Sequence, residues 1–327
     1  MSTKTYILIV TSVVVVVLTS FYSGFFLRNI LIKEKPITGQ DLIPQQKFRP
    51  NFIDEAIFIT KDSPHKALIL SAIRTYAGGT NNYTIKTFYF DGETWTRRIN
   101  EGKTSELENV PSTEIVPSWK IENDPSYMLR QTISGEVKLD GTNIKFSIPL
   151  IYNEMGIRSF YKYTKFMSEG NASLNINSKN YETYSLYSRI YSFNPPESLV
   201  FTSNPAGIET EWLAFWDNNG NFYSIDETQV DDKVTSDSYK AHSLAIHKDE
   251  LGKIQKSFVM KVSKYEENKL SVNIFEPIFA DIDINKLNSV NKSVNNNDIW
   301  TTGLIDGFVR LNGNKIKGIG LFEQISQ

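Results

Sequence analysis

The sequence predicts an all-β protein in which two β-barrel or sandwich domains stand in tandem behind a single N-terminal transmembrane helix. Short runs of β-branched and aromatic residues recur along most of the chain and are separated by turn residues. Long helical periodicity is absent after the N-terminal apolar segment, which favours barrels or sandwiches. The number of these runs favours two domains over one.

The composition is that of a globular protein of 327 residues, with 40% hydrophobic and 22% charged residues. The 35 basic and 37 acidic residues are interspersed and give a net charge of −2, so no nucleic-acid partner is expected. The chain has no cysteine, which excludes disulfides, thiolate nucleophiles and cysteine metal ligands. Its three histidines, His65, His242 and His247, form no metal-ligand pattern. The sequence therefore predicts neither a metal site nor a cofactor.

Residues 6–27 form an uncharged apolar segment that would span about 33 Å as a helix, at about 1.5 Å per residue. This segment predicts an uncleaved membrane anchor within residues 1–28, followed by a proline-containing linker over residues 29–50. A cleaved signal peptide is the alternative. The apolar run is longer than the usual core of about 7–15 residues, and no A-x-A cleavage site follows it.

The orientation of the anchor is open at this stage. Arg28, Lys33 and Lys35 follow the apolar segment whereas Lys4 precedes it, and the positive-inside rule would keep the folded body in the cytoplasm. Signal-anchors in front of a folded β domain are, however, common in exported bacterial proteins. On that ground we expect a single-pass membrane protein whose body is extracytoplasmic.

The first β domain is predicted over residues 51–153. Its candidate strands follow one another closely, as in a meander, with turns at Asp91-Gly92 and Asp140-Gly141. The predicted strands are AIFIT from Ala56, KALILSAIRTYA from Lys66, YTIKTFYF from Tyr83, ETWTRRI from Glu93, IVPSWKIE from Ile115, YMLRQTISGEVKL from Tyr127 and NIKFSIPLIY from Asn143.

The second β domain is predicted over residues 154–327. Its strands are SFYKYTKFMSEGNASLNI from Ser159, NYETYSLYSRIYSF from Asn180, the hairpin described next, SYKAHSLAIHK from Ser238, SFVMKVSKY from Ser257, KLSVNIFEPIF from Lys269 and IWTTGLIDGFVRLNGNKIKGIGLFEQI from Ile299. Asn312-Gly313 predicts a tight turn within the last of these runs. The asparagine-rich stretch from Asp281 to Asp298 is expected to form a loop or a short helix.

The stretch ETEWLAFWDNNGNFYSID, Glu209 to Asp226, predicts a hairpin with a type I′ turn at Asn219-Gly220. Strict alternation places Trp212 and Trp216 on one face of the first strand and Glu211 on the other. A strand with apolar groups on both faces is buried on both sides or lines an apolar cavity on one of them.

Three stretches resemble the lipocalin-like family of carotenoid 1,2-hydratase, also called hydroxyneurosporene synthase. FYKYTKFMSEGNASLNINSKNYETYS, Phe160 to Ser185, resembles the family's aromatic strand and the short strand after it. WLAFWDNNGN, Trp212 to Asn221, is similar to its Trp-x-x-x-Trp strand with the following turn. GFVRLNGNKIKGIGLFEQ, Gly307 to Gln324, resembles its glycine-rich closing element. The resemblance implies two tandem lipocalin-like (calycin) β domains.

The closing element also has a physical interpretation. Gly318 and Gly320 lack a Cβ, and we expect them to allow close backbone approach where a barrel strand closes.

The chain departs from the family where its enzymatic members tend to carry His, Asp and Trp. Thr183 to Phe193 reads TYSLYSRIYSF instead. Hydration of an alkene needs an acid that can protonate carbon, and a tyrosine hydroxyl with a pKa of about 10 is a poor one. The hydratase chemistry is therefore not transferred to this chain.

We expect a membrane-anchored protein that binds a hydrophobic small molecule, a lipid or isoprenoid, without catalysis. Burial of apolar ligand surface would drive binding, and Arg189 or a tyrosine hydroxyl would orient one polar end. The expected lining residues are Trp212, Trp216, Tyr161, Tyr163, Tyr187, Tyr191 and Arg189.

Two alternatives remain at the sequence level. The first is an enzyme acting on a hydrophobic or glycan substrate, with Glu182, Glu209 or Glu211 as the acid; it needs a carboxyl of raised pKa inside a pocket. The second is a scaffold whose β domains pack against an envelope partner and hold no ligand. His242 and His247 are five residues apart on a predicted strand, so we expect them on opposite faces.

Overall fold

The computed structural model of the chain describes residues 51–77, 80–104, 118–123, 130–151, 158–160, 163–170, 172–192, 208–230, 242–266, 268–291 and 299–326. The predicted anchor (1–28) and linker (29–50) lie outside these residues and stay predictions. Every regular element in the described stretches is a β-strand, which confirms the all-β prediction. No helix in this part of the chain is long and apolar enough to cross a membrane.

Eleven antiparallel strands form the first sheet. They are β1 (Asn51–Thr60), β2 (Ala67–Ala77), β3 (Thr80–Phe90), β4 (Trp95–Thr104), β5 (Ser118–Asn123), β6 (Arg130–Leu139), β7 (Thr142–Ile151), β8 (Arg158–Phe160), β9 (Tyr163–Glu169), β10 (Ser173–Ile176) and β11 (Lys179–Ser192). They pair in the order β4-β3-β2-β1-β11-β10-β7-β6-β5, with β9 on β11 and β8 on β9. The sheet forms a nearly closed barrel. Arg98 of the edge strand β4 donates from Nη1 to the carbonyl oxygen of Lys138, near the end of β6, at 2.8 Å.

Nine antiparallel strands form the second sheet, which is also a nearly closed barrel. They are β12 (Ile208–Asp217), β13 (Phe222–Val230), β14 (His242–Lys248), β15 (Ile254–Ser257), β16 (Met260–Glu266), β17 (Lys269–Ile274), β18 (Ala280–Asn291), β19 (Ile299–Leu311) and β20 (Asn314–Ser326). Their order is β15-β14-β13-β12-β20-β19-β18-β17-β16. This order repeats the nine-strand path of the first barrel, with β12 in the place of β1 and β20 in the place of β11.

The division between the two sheets differs from the predicted boundary at residues 153 and 154. Strands β8 to β11 belong to the first sheet, because residues 183–192 of β11 pair with the whole of β1 and β10 pairs with β7. The last strand of the first barrel thus returns to its first strand, as closure of a barrel requires. The second sheet begins at Ile208.

The outer faces of the two barrels share one buried apolar layer, which we call the inter-barrel layer. The first barrel contributes Ile57, Ile59, Ala67, Ile69, Phe88, Phe90, Met167 and Leu186, and the second contributes Trp212, Ala214, Trp216, Phe222, Leu244, Ile246, Leu304, Ile319 and Leu321. Lys248 of β14 and Glu169 of β9 add an ion pair between the barrels, with 2.5 Å between Nζ and Oε2. Arg97 of β4 donates to the Asn291 carbonyl oxygen at 3.0 Å.

The interior of the second barrel is a separate apolar cluster. Its buried members are Leu213, Phe215, Tyr223, Ile225, Ala245, Leu270, Val272, Ile274, Ile278, Ala280, Ile282, Ile284, Ile305, Val309 and Phe322. Strand β12 therefore places Leu213 and Phe215 inside its own barrel and Trp212 and Trp216 against the other one. This arrangement explains why the strand is apolar on both faces.

The hairpin turns follow the predicted chemistry with one exception. Asn312 and Gly313 both have positive φ (52° and 81°), as a type I′ turn requires. At Asn219-Gly220, among the residues described, only Gly220 has positive φ (89°), and its N–H donates to the Asp217 carbonyl oxygen at 3.0 Å. This connection is a three-residue loop, a type I turn followed by a left-handed glycine, and the predicted type I′ turn is wrong.

The stretch from Asp281 to Asp298 also differs from the expectation. Up to Asn291 it belongs to β18, a strand between β17 and β19, and residues 292–298 lie outside the described residues. Ala280, Ile282 and Ile284 are buried and alternate with polar residues, which is the period of a strand with one face in a core.

The close-approach role of the two glycines in β20 is confirmed. A Cβ at Gly320 would lie 2.1 Å from the Ala214 carbonyl oxygen of β12, and one at Gly318 would lie 2.4 Å from the Trp216 carbonyl oxygen. Neither distance is possible for a real side chain, so β20 can pack on β12 at these points only with glycine.

Tyr223, His247 and Asp217 form a buried polar group near the β12–β13 turn. The ring of His247 stacks on that of Tyr223 with centroids 4.8 Å apart, and the Tyr223 hydroxyl donates to Asp217 Oδ2 at 3.4 Å. Burial lowers the pKa of His247, and the opposing effects of Gln255, Asp249 and Asp217 do not cancel this shift. His242 begins β14 and pairs with Thr228 of β13, and its side chain lies outside the described part.

Replacing Gly320 tests the close approach. We expect Gly320→Ala to lower the free energy of unfolding by roughly 1–3 kcal/mol, because the new methyl group must push β20 away from β12. Urea denaturation followed by tryptophan fluorescence measures the change. Gly252→Asn is the control, since the site is open and asparagine tolerates its left-handed φ of 85°. Equal midpoints for Gly320→Ala and the unmodified chain would contradict the packing.

The buried His247 predicts acid sensitivity. The folded state binds the His247 proton more weakly than the unfolded state, so stability is complete above the unfolded pKa of about 6.5 and falls as pH drops toward the lowered folded pKa. We expect His247→Gln to flatten the pH dependence of the unfolding free energy between about pH 7 and pH 5. Denaturation at several pH values measures it, and parallel curves for both proteins would refute the assignment.

Candidate functional site

The two barrels carry an acidic residue at the same position of their first strand. Thr60 and Asp217 each close a hairpin through a backbone hydrogen bond, of 2.9 and 3.0 Å. Counting back six residues from each gives Asp54 in β1 and Glu211 in β12. The two positions are equivalent because the barrels share one strand order, in which β12 takes the place of β1.

Both acidic residues lie on the inward side of their strand. Asp54 shares its face of β1 with Phe58, whose ring centroid lies 5.5 Å from that of Phe146 across the first barrel. Glu211 shares its face of β12 with Phe215, a member of the second barrel's interior cluster. Asp54 is fully buried and Glu211 is 9% exposed. Each barrel thus holds a carboxyl group among apolar side chains.

In the first barrel the carboxyl group has a tyrosine as its partner. The Tyr187 hydroxyl donates to Asp54 Oδ1 at 2.5 Å, and Tyr187 is fully buried as well. Tyr187 is the register partner of Ala56, two residues along β1 from Asp54. Buried apolar residues on the strands of this barrel are Phe58, Leu68, Leu70, Ile133, Val137, Ile144, Phe146, Ile148, Leu174 and Ile176.

In the second barrel the carboxyl group has a cation as its partner. Lys286 Nζ lies 3.6 Å from Glu211 Oε1, and the two side chains are 10% and 11% exposed. The same ammonium donates to Gln324 Oε1 at 3.1 Å and lies 4.7 Å from the centroid of the Phe322 ring. The charge of Glu211 is therefore compensated within the barrel.

The structure brings only part of the predicted ligand site together. Arg189 and Tyr191 lie on β11 as register partners of Asp54 and Phe52, so their backbone continues the strand of Tyr187. Their side chains, and that of Tyr163 at the start of β9, are outside the described part, and Tyr161 lies outside the described residues altogether.

Trp212 and Trp216 lie apart from Tyr187, in the inter-barrel layer. Trp212 Nε1 donates to Ser224 Oγ at 3.2 Å, and the Trp216 ring stacks on Tyr184 with centroids 5.7 Å apart. Tyr184 projects from the outer face of β11, whereas Tyr187 projects from the inner face. The buried Trp216 indole N–H has no hydrogen-bond partner among the described residues.

The predicted catalytic carboxyls differ in burial. Glu182 has a side chain that is 85% exposed and lies 3.8 Å from Lys61, as expected of a solvated strand residue. Glu211 is buried as described above. Glu209 also lies on β12, and its side chain is outside the described part. Among the predicted acids with described side chains, Glu211 is the one held inside a barrel.

Two tyrosines on strands of the first barrel, Tyr184 and Tyr89, have a raised pKa and are neutral at neutral pH. Burial, and then the charge of Asp217, raise the pKa of Tyr184. Burial is also the main cause that raises the pKa of Tyr89 to about 12 in the first barrel. Such hydroxyl groups donate hydrogen bonds at neutral pH and do not act as bases.

Two residues of the site are not predicted by the sequence analysis. Asp54 precedes the expected start of the first strand at Ala56, although the alternation Asp54, Ala56, Phe58 could have revealed its inward position. Lys286 falls in the stretch that the sequence predicts to be a loop or a short helix. Among the described residues, no group of three or more His, Cys, Asp or Glu side chains is arranged to hold a metal ion.

Comparison with known proteins defines the architecture. No protein-family model and no curated protein matches the sequence. The fold is similar to that of an AttH protein from Nitrosomonas europaea, with a TM-score of 0.58 and 11% identity over 90% of this chain and 98% of the other. It is also similar to kievitone hydratase from Nectria haematococca, with a TM-score of 0.55 and 10% identity over 85% and 89%. At these identities the likeness shows the fold alone: the chain has the architecture of lipocalin-like tandem barrel proteins.

Proposed function

We propose that the protein binds a hydrophobic small molecule, a lipid or isoprenoid, in the first barrel without transforming it. The observation that carries this proposal is the 2.5 Å hydrogen bond between the fully buried Asp54 and Tyr187 in an apolar barrel interior. In this proposal the pair contacts the polar end of the ligand, while the aromatic and aliphatic wall contacts the rest. Arg189, the register partner of Asp54, would take part in that polar contact.

The relative sizes of two free-energy contributions favour this proposal, in which the apolar wall provides affinity and the polar pair provides orientation. Burial of ligand apolar surface contributes roughly 25 cal/mol per Å², so about 300 Å² supplies about 7 kcal/mol before the cost of association. A hydrogen bond to a neutral hydroxyl contributes only about 1 kcal/mol net. The Asp54–Tyr187 pair therefore sets the orientation of a ligand more than its affinity.

The first barrel is the better candidate because its polar pair can exchange partners. Displacing the Tyr187 hydroxyl costs one hydrogen bond to the Asp54 carboxyl group, about 1–3 kcal/mol, whereas separating Lys286 from Glu211 leaves a buried charge unpaired at a cost of about 3–5 kcal/mol. A ligand hydroxyl or carbonyl can therefore enter the network around Asp54 more easily than the network around Glu211.

The membrane anchor at residues 6–27 and an extracytoplasmic body are part of the same proposal. A tether of this kind would keep the barrels close to the bilayer from which an apolar molecule can be taken up. The basic residues behind the apolar segment oppose this orientation, as noted above.

An enzyme is the second candidate function, and the burial of Glu211 is the observation that favours it. One of the structural neighbours is named a hydratase. In this alternative a protonated Glu211 gives its proton to a substrate in the second barrel, and Lys286 holds the resulting carboxylate. Water then adds to the substrate cation and returns one proton to Glu211. The scaffold alternative needs neither barrel to hold a ligand.

Removal of one hydroxyl group tests the binding proposal. We expect Tyr187→Phe to weaken binding of cis-parinaric acid, a fluorescent polyene fatty acid, about five- to tenfold, because the polar network loses a donor worth about 1 kcal/mol. Fluorescence titration of the full chain in mild detergent measures the dissociation constant. Tyr184→Phe is the matched control, since it removes a hydroxyl from the outer face of the same strand. Equal affinities for all three proteins would count against the site, and no binding by any of them would favour the scaffold.

The enzyme alternative has its own test. We expect a co-purified apolar molecule to keep its mass when the full chain is incubated with it and with ¹⁸O-labelled water, as measured by mass spectrometry. A product that gains one labelled water with the unmodified chain, and does not with Glu211→Gln, would replace the binding function by a hydratase function. Lys286→Gln serves as the control for loss of the buried ion pair.

A further inference from the structure

Exposed apolar side chains of the second barrel are concentrated at one end. Among the described residues, five of the six large hydrophobic side chains that are exposed lie in the β14–β15, β15–β16 and β17–β18 connections. They form what we call the end patch: Leu251, Phe258, Val259, Phe275 and Phe279, with exposed fractions of 88%, 61%, 61%, 45% and 63%. The sixth, Leu287, lies on β18 outside these connections and is 49% exposed.

Specific hydrogen bonds join the connections of the end patch. The Phe275 N–H donates to the Val259 carbonyl oxygen at 3.0 Å. Ser257 Oγ donates to the Glu276 carbonyl oxygen at 2.9 Å and accepts the Val259 N–H at 3.2 Å. Ile278 of the same turn is buried in the interior cluster of the barrel. These hydrogen bonds hold the β15–β16 and β17–β18 connections, which carry Phe258, Val259, Phe275 and Phe279, on a common base.

Phe279 is held in an unfavourable backbone conformation. Its φ of 52° lies in the left-handed region, which is uncommon for residues other than glycine, asparagine and aspartate and is an outlier for bulky ones. Folding stability alone would favour glycine or asparagine here. An exposed aromatic ring in this strained position points to a function outside the barrel itself.

We propose that the end patch docks on the surface of a lipid bilayer, with Val259 and the rings of Phe258 and Phe279 inserted among the headgroups and upper acyl chains. Apolar side chains clustered at a surface mark interaction sites, and aromatic rings suit the interface between headgroups and acyl chains. Lys253, Lys256 and Lys261, and also Glu250 and Glu276, flank the patch residues in the sequence. This mixed rim matches zwitterionic headgroups, because ammonium groups can contact lipid phosphates.

The predicted anchor and linker would place a bilayer within reach of the end patch. Residues 6–27 are the predicted anchor, and the 22 residues from 29 to 50 could extend to about 73 Å at about 3.3 Å per residue. A tether of this length raises the effective concentration of the patch at the membrane, so even weak insertion is favoured. For this reason we assign the patch to the membrane rather than to a second copy of the chain.

The absence of cysteine from the chain allows a direct test. The full chain with Val259→Cys is labelled with the fluorophore NBD and reconstituted in phosphatidylcholine–phosphatidylglycerol vesicles that contain nitroxide-labelled lipids. Leu287→Cys is the matched control, since it lies on the same barrel seven residues beyond Ala280, roughly 23 Å along β18. We expect the label at position 259 to be quenched at least twofold more strongly than the label at position 287.

A second variant separates insertion from misfolding. Phe279→Asn removes the ring but suits the left-handed φ, so the barrel should remain folded. In the Val259→Cys background we expect it to reduce quenching toward the level at position 287. Equal quenching at the two positions would overturn the proposal, and so would a full chain that does not remain with the vesicles. The proposal would also be overturned if Phe279→Asn left the quenching unchanged. An NBD emission that shifts with protein concentration in lipid-free detergent would overturn it in favour of self-association.

Discussion

The inter-barrel layer is the contact on which the rest of the structure depends. Because each barrel buries one outer face against the other, β1 and β12 must be apolar on both sides, and this is what their sequences show. Burial at roughly 25 cal/mol per Å² makes such a layer a major source of stability. The Lys248–Glu169 ion pair lies beside this layer and adds a directional contact that a purely apolar surface lacks. Trp212 and Trp216 are therefore best understood as residues that join the barrels.

Local chemistry explains the features that the sequence analysis predicts correctly. Turn propensity identifies Asn312-Gly313, the absence of a Cβ identifies the close approach at Gly320, and alternation assigns Trp212 and Glu211 to opposite faces. Each of these depends on residues that are near one another in the chain. The all-β class follows from the same rules, applied to many short segments.

The features that the sequence analysis misses have two causes. Some depend on pairing between strands that are far apart in the chain, and others lie in strands whose polar composition obscures the alternation of buried residues. The first barrel ends with β11 because β11 pairs with β1, more than a hundred residues earlier, and no local signal records that closure. Strand β18 has polar residues between Ala280, Ile282 and Ile284, so its composition resembles that of a loop although its period is that of a strand. Asp54 lies two residues before the expected start of β1 and was missed for that reason. The residues that cover Trp212 and Trp216 likewise come from the other barrel, and only the tertiary structure shows this contact.

The repeated position of Asp54 and Glu211 argues that the two barrels use one scaffold for different purposes. A carboxyl group on the inner face of the first strand needs a partner, since an isolated buried charge is too costly. In the second barrel the ammonium of Lys286 neutralises it, and the surrounding interior cluster then acts as a core. In the first barrel the Tyr187 hydroxyl donates to Asp54, so this carboxyl group accepts a hydrogen bond from a tyrosine, whereas the equivalent Glu211 faces an ammonium group. This difference in partner, at an equivalent position, is the physical reason to look for the ligand in the first barrel.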